Sequence, residues 1–188
     1  MVQQSIIALL LPIIAFAAPQ GYSSNPATTL VTGNTGVTFK NNCGYDVTYS
    51  VLNPCSSENS GTISAGSTWS GDLSDCSSGN TALKIYKDGS DKPMQFEYGL
   101  VNGNVWYDLS FVDCISGSDD FNQCAGAGWS MGSIGSCPTF ACSGGSECCQ
   151  QGYCDPYATA AALQPNAGCG AMQGYSLGEL GVTMGICN

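Results

Sequence analysis

Twelve cysteines constrain this 188-residue chain more than any other feature, and none of them lies in the first forty residues. An even number of cysteines behind an apolar leader is typical of a protein that folds outside the cell, where thiols oxidise. We therefore expect up to six disulfides to stabilise the fold. Zinc binding is the alternative use of many cysteines, and the extracellular context favours disulfides over it.

The leader is the apolar run IIALLLPIIAFAA at residues 6–18, which contains an A-x-A cleavage pattern at residues 15–17. It is shorter than the roughly 20 apolar residues of a membrane-spanning helix. We predict a signal peptide over residues 1–17, and the alternative is a buried element of the mature fold. Residues 18–35 are rich in Pro, Ser and Thr, and they predict a flexible arm, with an edge strand around residues 28–31 as the alternative. The expected location is secreted, in the extracellular space or the cell wall.

The charge balance excludes several classes of function. The chain has no His and no Arg, and its formal net charge is −10. Nucleic acid and an anionic membrane surface would be repelled. Without His there is no Ser-His-Asp or Cys-His nucleophile, so any hydrolysis would depend on carboxylates. We expect no metal, no cofactor, no membrane association after signal cleavage, and a monomer.

Alternating apolar and polar residues predict an antiparallel β protein with one domain over residues 36–188. Residues 114–169 are crowded with Cys, Gly and Ser and predict a disulfide-linked loop region, with one short helix at residues 157–163. The predicted strands lie at residues 37–39, 47–51, 81–86, 94–100, 104–112 and 180–187.

The strongest local signal is Asn102-Gly103 between two apolar-rich segments, which predicts a two-residue hairpin loop. In that register Glu97 lies directly opposite Asp108, with Cβ atoms about 4.5–5.5 Å apart on one face of the sheet. Opposed like charges destabilise a sheet. Either Lys84 offsets the repulsion, or one carboxyl keeps its proton and has a raised pKa.

Such a pair could act on a glycosidic bond, and a solvated acidic face with no function is the alternative. Strict alternation places Trp106 on the same face as Asp108, where its ring could stack on a sugar. Asp113 lies five residues beyond Asp108, so it joins this face only if the end of the strand turns it round.

Several motifs in this order resemble the thaumatin-like proteins, from about Val37 to Cys187. The Cys-Cys-x4-Cys element is the most specific of them. The segments that carry the resemblance are FKNNCGYDVTYSV, QFEYGL followed by WYDLSFVD, ECCQQGYCDP and CGAMQGYS.

The resemblance implies an all-β fold, a disulfide-rich antiparallel β-sandwich with a Cys-rich loop subdomain, of a reduced fungal type. Residues 36–113 and 170–188 would form the sandwich, and residues 114–169 the loop subdomain. The family's pattern, carried across by order, implies the disulfides Cys43–Cys187, Cys55–Cys76, Cys114–Cys169, Cys124–Cys137, Cys142–Cys148 and Cys149–Cys154.

Many members of this family have an acidic cleft that is linked to β-1,3-glucan binding and sometimes to weak glucan hydrolysis. Glu97, Asp108 and Asp113 match three of its acidic residues, whereas the family's Arg has no counterpart here. We therefore expect a protein that binds cell-wall β-1,3-glucan through Glu97, Asp108, Asp113 and Trp106. The alternatives are an interaction protein that acts on host proteins or in the wall, and a weak endo-β-1,3-glucanase with Glu97 as the acid and Asp108 as its partner.

Overall fold

Two β-sheets packed face to face form the fold. A computed structural model describes residues 36–73, 75–87, 89–115, 128–144, 149–155 and 166–188. The predicted signal peptide, N-terminal arm and residue 157–163 helix lie outside these ranges. None of the helices in the described ranges has the length and apolar character needed to cross a membrane.

Each sheet takes strands from distant parts of the chain. The first sheet has the order β4-β1-β11-β8-β9, with β1 at Gly36–Asn41, β4 at Thr68–Gly71, β8 at Trp129–Gly132, β9 at Thr139–Cys142 and β11 at Gly181–Ile186. The second has the order β10-β7-β6-β5-β2-β3, with β2 at Val47–Leu52, β3 at Asn59–Ile63, β5 at Thr81–Tyr86, β6 at Met94–Val101, β7 at Asn104–Ser110 and β10 at Asn166–Gly170. Two short 3-10 helices follow β10, at Ala171–Gln173 and Leu177–Glu179.

The core lies between the sheets and follows the period-2 pattern of the strands. On β1, Val37 and Phe39 point inward, and on β6, Phe96 and Tyr98 do the same. Phe39 and Phe96 meet across the sandwich in an edge-to-face contact with ring centroids 5.3 Å apart. The intervening residues of β6, including Glu97, therefore face away from the first sheet.

The architecture confirms the predicted all-β sandwich, with one strand pair that differs from a purely antiparallel arrangement. The strands β1 and β11 are parallel, in register from Gly36 opposite Gly181 to Asn41 opposite Ile186. A parallel pair needs a long crossover connection. Here the connection contains the other nine strands of the described residues.

The expectation of a strand-free segment from 114 to 169 is wrong. The strands β8 and β9 lie inside it and complete the first sheet, and β10 begins there and forms an edge of the second sheet. These strands are only four or five residues long. Alternation over so few residues gives a weak signal.

Four disulfides have both cysteines within the described residues. Three of them are pairs that the resemblance implied, Cys43–Cys187, Cys55–Cys76 and Cys149–Cys154. The first of these joins the residues that follow β1 and β11, the parallel neighbours at the centre of the first sheet.

Two implied pairings are wrong, because Cys137 and Cys169 bond to each other, with Cα atoms 5.6 Å apart. Cys169 lies on β10, which pairs with β7, and the Tyr107 hydroxyl of β7 donates a hydrogen bond to the Pro138 carbonyl. The segment before β9 therefore lies beside β10, so Cys137 meets Cys169 there rather than Cys124. Order along the chain cannot reveal such a contact.

Cys114, the implied partner of Cys169, and Cys142 are disulfide-bonded as well. The implied partner of Cys142 is Cys148, which lies outside the described residues, as does Cys124.

Candidate functional site

The turn between β6 and β7 sets the geometry of the site. Asn102 and Gly103 both have positive φ angles, 50° and 74°, as a two-residue hairpin loop of type I′ requires. Asn tolerates this conformation and Gly adopts it without steric cost. The resulting register places Glu97 opposite Asp108, which confirms the hairpin prediction.

Glu97 and Asp108 form a half-buried carboxyl pair on the outer face of the second sheet. Burial, the charge of Glu97 and a hydrogen bond between the two carboxyl groups together raise the pKa of Asp108 to about 8, and burial has the largest effect. The Oδ1 atom of Asp108 is buried without a hydrogen-bond partner. An ionised Asp108 would be costly in that position, so the pair holds a proton at neutral pH.

Lys84 does not offset the repulsion between Glu97 and Asp108. Its Nζ atom donates to Asp113 Oδ2 at 2.8 Å, and these two side chains form an ion pair. The strand β7 has already ended, and the amide of Cys114 donates to the Phe111 carbonyl in a turn. Of the two predicted ways to relieve the repulsion, the structure uses the retained proton. The turn also brings Asp113 to Lys84 on the outer face of the second sheet, although strict alternation predicts the opposite face for it.

Trp106 lies on the same face as Asp108, as strand parity predicted, and its side chain is 38% exposed. Its neighbours in register on both sides are glycines, Gly99 on β6 and Gly168 on β10. A Cβ atom at Gly168 would lie 3.0 Å from the indole ring. The absence of a side chain there lets the ring lie against β10 while the residue stays partly exposed.

The other two tryptophans do not share this role. Trp129 is buried against Phe111, with ring centroids 4.7 Å apart. Trp69 is half-buried and packs near Tyr49, with centroids 5.8 Å apart. Among the tryptophans, only Trp106 presents an accessible aromatic face on the side of the carboxyl pair.

Trp106 and Asp108 both line an open cleft of about 470 Å³. Its remaining lining consists mainly of amides and tyrosines. We call this space the first hollow; its lining residues are Asn80, Val101, Asn102, Asn104, Trp106, Tyr107, Asp108, Tyr153 and Asn166.

Sequence reasoning missed the amide side chains of the first hollow. Asn166 lies opposite Asp108 on β10, and its Nδ2 atom donates to the Tyr153 hydroxyl at 3.3 Å. Asn166 could be placed in the site only if β10 were predicted as a strand, and its sequence NAGCG shows no strand pattern. Asn80 immediately precedes β5, and its side-chain oxygen lies over Gly99. The only signal for it was its position before a predicted strand.

The structure gives Glu179 a local role. This residue accepts hydrogen bonds from the Ser176 amide and hydroxyl, at 2.8 and 2.6 Å, and so caps a short helix. Within the described ranges, no three His, Cys, Asp or Glu side chains form a group that could hold a metal ion.

Comparison with known proteins matches the chain to one family profile. A family profile described as "Bys1: Blastomyces yeast-phase-specific protein" matches residues 25–170. No curated protein sequence matches the chain significantly.

Two solved structures are similar in fold. The protein elicitor MoHrip2 from Magnaporthe oryzae is 18% identical with a TM-score of 0.60, and the match covers 82% of this chain and all of that one. The thaumatin-like xylanase inhibitor TLXI is 12% identical with a TM-score of 0.51, covering 81% of this chain and 99% of that one. These likenesses support the thaumatin-like fold that the motifs indicated, whereas the family profile that matches is Bys1 rather than thaumatin.

Proposed function

The chain belongs to the Bys1 family, and we propose that it is a secreted protein that binds cell-wall β-1,3-glucan through the first hollow. The observation that carries this proposal is the exposed face of Trp106 beside Asp108 in an amide-lined cleft. An open indole face suits the apolar face of a pyranose ring. Carboxyl and amide groups around it can bind the ring hydroxyls and fix orientation.

Secretion is supported by the apolar leader and by the disulfides, which persist in oxidising compartments. The disulfide-bonded sandwich suits a protein that works in the extracellular space or the cell wall.

The carboxyl pair favours binding over hydrolysis. Glycosidases keep their two carboxyl groups about 5–5.5 Å apart when retaining and about 6.5–9.5 Å apart when inverting. Glu97 and Asp108 are instead close enough to share a hydrogen bond. That contact leaves no space between them for a sugar carbon or a water molecule, so we assign the pair to recognition of hydroxyl groups.

We expect Trp106→Ala to weaken the affinity of the protein for insoluble β-1,3-glucan about tenfold, because the substitution removes the aromatic platform. The loss corresponds to about 1.4 kcal/mol of binding free energy. Depletion of the oxidised mature protein from solution measures it, with cellulose and chitin as alternative polymers.

Leu177→Ala is the matched control, because Leu177 is 53% exposed and does not line the first hollow. It should leave depletion unchanged. Two results would contradict the assignment of the site. One is equal retention of the wild-type protein by all polymers, and the other is glucan retention that Trp106→Ala does not alter.

A second candidate function is recognition of another protein. Met172 and Leu177, on the two consecutive short helices, are 76% and 53% exposed and lie outside the first hollow. The two similar structures are named as an elicitor and as an inhibitor of xylanase. If glucan does not deplete the protein, a Met172→Asp/Leu177→Asp variant would show whether this apolar surface binds a protein partner.

A further inference from the structure

A second hollow of about 380 Å³ lies next to the first, and the two share Asn80. It is formed by the end of β2, the loop that follows it, and the start of β5. Its lining residues are Leu52, Asn53, Pro54, Ser56, Glu58, Asn80 and Ala82.

The strand register shows that both hollows lie on one face of the second sheet. Directly opposed residues of neighbouring strands share a face. One such row crosses five strands, from β10 to β2, and runs Asn166, Asp108, Glu97, Ala82, Leu52. With strands about 4.8 Å apart, the four intervals extend for about 19 Å.

Glu97 lines neither hollow, but in this row it lies between a residue of the first hollow and a residue of the second. It is opposed by Asp108 of the first hollow on one side and by Ala82 of the second on the other. Ala82 is the smallest side chain in the row, so it leaves the passage over β5 open.

The neighbouring rows border this passage. Toward the hairpin turn lie Trp106 and the Asn80 side chain over Gly99. On the opposite side lies Lys84, which Asp113 holds in an ion pair. The row therefore has side chains on both sides, and the carboxyl pair lies near its middle.

We infer that the two hollows are subsites of one groove, which binds an internal segment of an extended, uncharged polysaccharide chain lying across the strands. This inference rests on the proposed function and adds the length and charge class of the ligand. A chain entering at Trp106 would continue past the Asp108–Glu97 pair to the second hollow, where Ser56 and Glu58 can accept hydrogen bonds from its hydroxyls. Glu97 of the carboxyl pair, Glu58 of the second hollow and the net charge of −10 disfavour polyanionic polysaccharides such as those built of uronic acids.

The test is a size series of β-1,3-linked glucose oligosaccharides, from disaccharide to heptasaccharide, titrated calorimetrically. For the wild-type protein we expect the affinity to keep rising beyond the trisaccharide, by about tenfold in total, as the second hollow fills. A gain of that size needs one or two additional hydrogen bonds.

Ala82→Tyr places a large side chain at the entrance to the second hollow. It should lower the affinity for the heptasaccharide to that for the trisaccharide, while the trisaccharide binds within twofold of wild type. Ser56→Trp, on an exposed loop residue of the second hollow, should give the same result without changing a strand. Thr48→Tyr is the control, because Thr48 is exposed on the same sheet and outside both hollows.

The outcomes separate the two claims. If the affinity stops rising at the trisaccharide and the Ala82 and Ser56 variants match wild type, the extended groove is wrong and the glucan site stands. If no oligosaccharide binds the wild-type protein, the proposed function is wrong and the inference fails with it. Binding of an oligogalacturonide as tight as that of the glucan heptasaccharide would overturn the charge class.

Discussion

Asp108→Asn is expected to make the protein more stable at neutral pH and to remove most of the fall in stability between about pH 5 and pH 8. The native state holds a proton on Asp108 up to a pKa of about 8, whereas the ordinary value is 3.8. Between these values unfolding releases a proton, so stability falls as the pH rises, by at most about 1.4 kcal/mol per pH unit. The stabilisation that comes from the raised pKa of Asp108 is complete below about pH 4 and is lost above about pH 8.

Asparagine removes the titration, and its amide can donate a hydrogen bond to Glu97. Urea unfolding of the wild type and the variant across this pH range measures the effect. Asp91→Asn, at an exposed residue, is the charge-matched control and should keep the wild-type slope. A wild-type stability that stays level or rises from pH 5 to pH 8 would contradict the shared proton.

Removal of the Cys43–Cys187 disulfide by a double Cys→Ala substitution is expected to lower the free energy of unfolding by about 5 kcal/mol. The bond closes a loop with a sequence separation of 144 residues, so it strongly restricts the unfolded chain. A loss of that size is comparable with the total stability of many domains, about 5–15 kcal/mol. We expect the variant to be largely unfolded at 37 °C.

The matched comparison is the same double substitution at Cys149 and Cys154, which are only five residues apart in sequence. The chain-entropy relation gives about 2 kcal/mol for so small a loop. Thermal and denaturant unfolding under oxidising conditions would rank the two variants. Equal losses would show that local packing, rather than loop size, determines what each disulfide contributes.

Local patterns were sufficient to predict the centre of the site. The Asn102-Gly103 turn fixes a register, and the register alone opposes Glu97 to Asp108 and places Trp106 on their face. The six predicted strands are present. The thaumatin-like motifs indicated the right fold, and the even number of cysteines indicated that disulfides would stabilise it.

The remainder depends on contacts between distant segments. The strand β10 is rich in glycine because Gly168 lies under Trp106 and because a Cβ at Gly170 would clash with Asn104, and these close approaches erase the strand pattern. The edge strand β3 is almost wholly exposed, so it lacks a buried face. The Cys137–Cys169 bond likewise follows from the position of β10 beside β7.

The central position of β11 in the first sheet has a consequence for how the protein is made. Before that segment leaves the ribosome, β1 and β8 cannot be joined into one sheet, because β11 lies between them. Unpaired strand edges invite association with other chains. Completion of the first sheet must therefore wait until translation has passed Ile186, whereas no strand of the second sheet lies beyond β10, and the long-range contact order of the β1–β11 pair makes the completing step slow. The yield of native protein should thus depend on how well the unpaired edges of β1 and β8 are kept from other chains until β11 pairs with both.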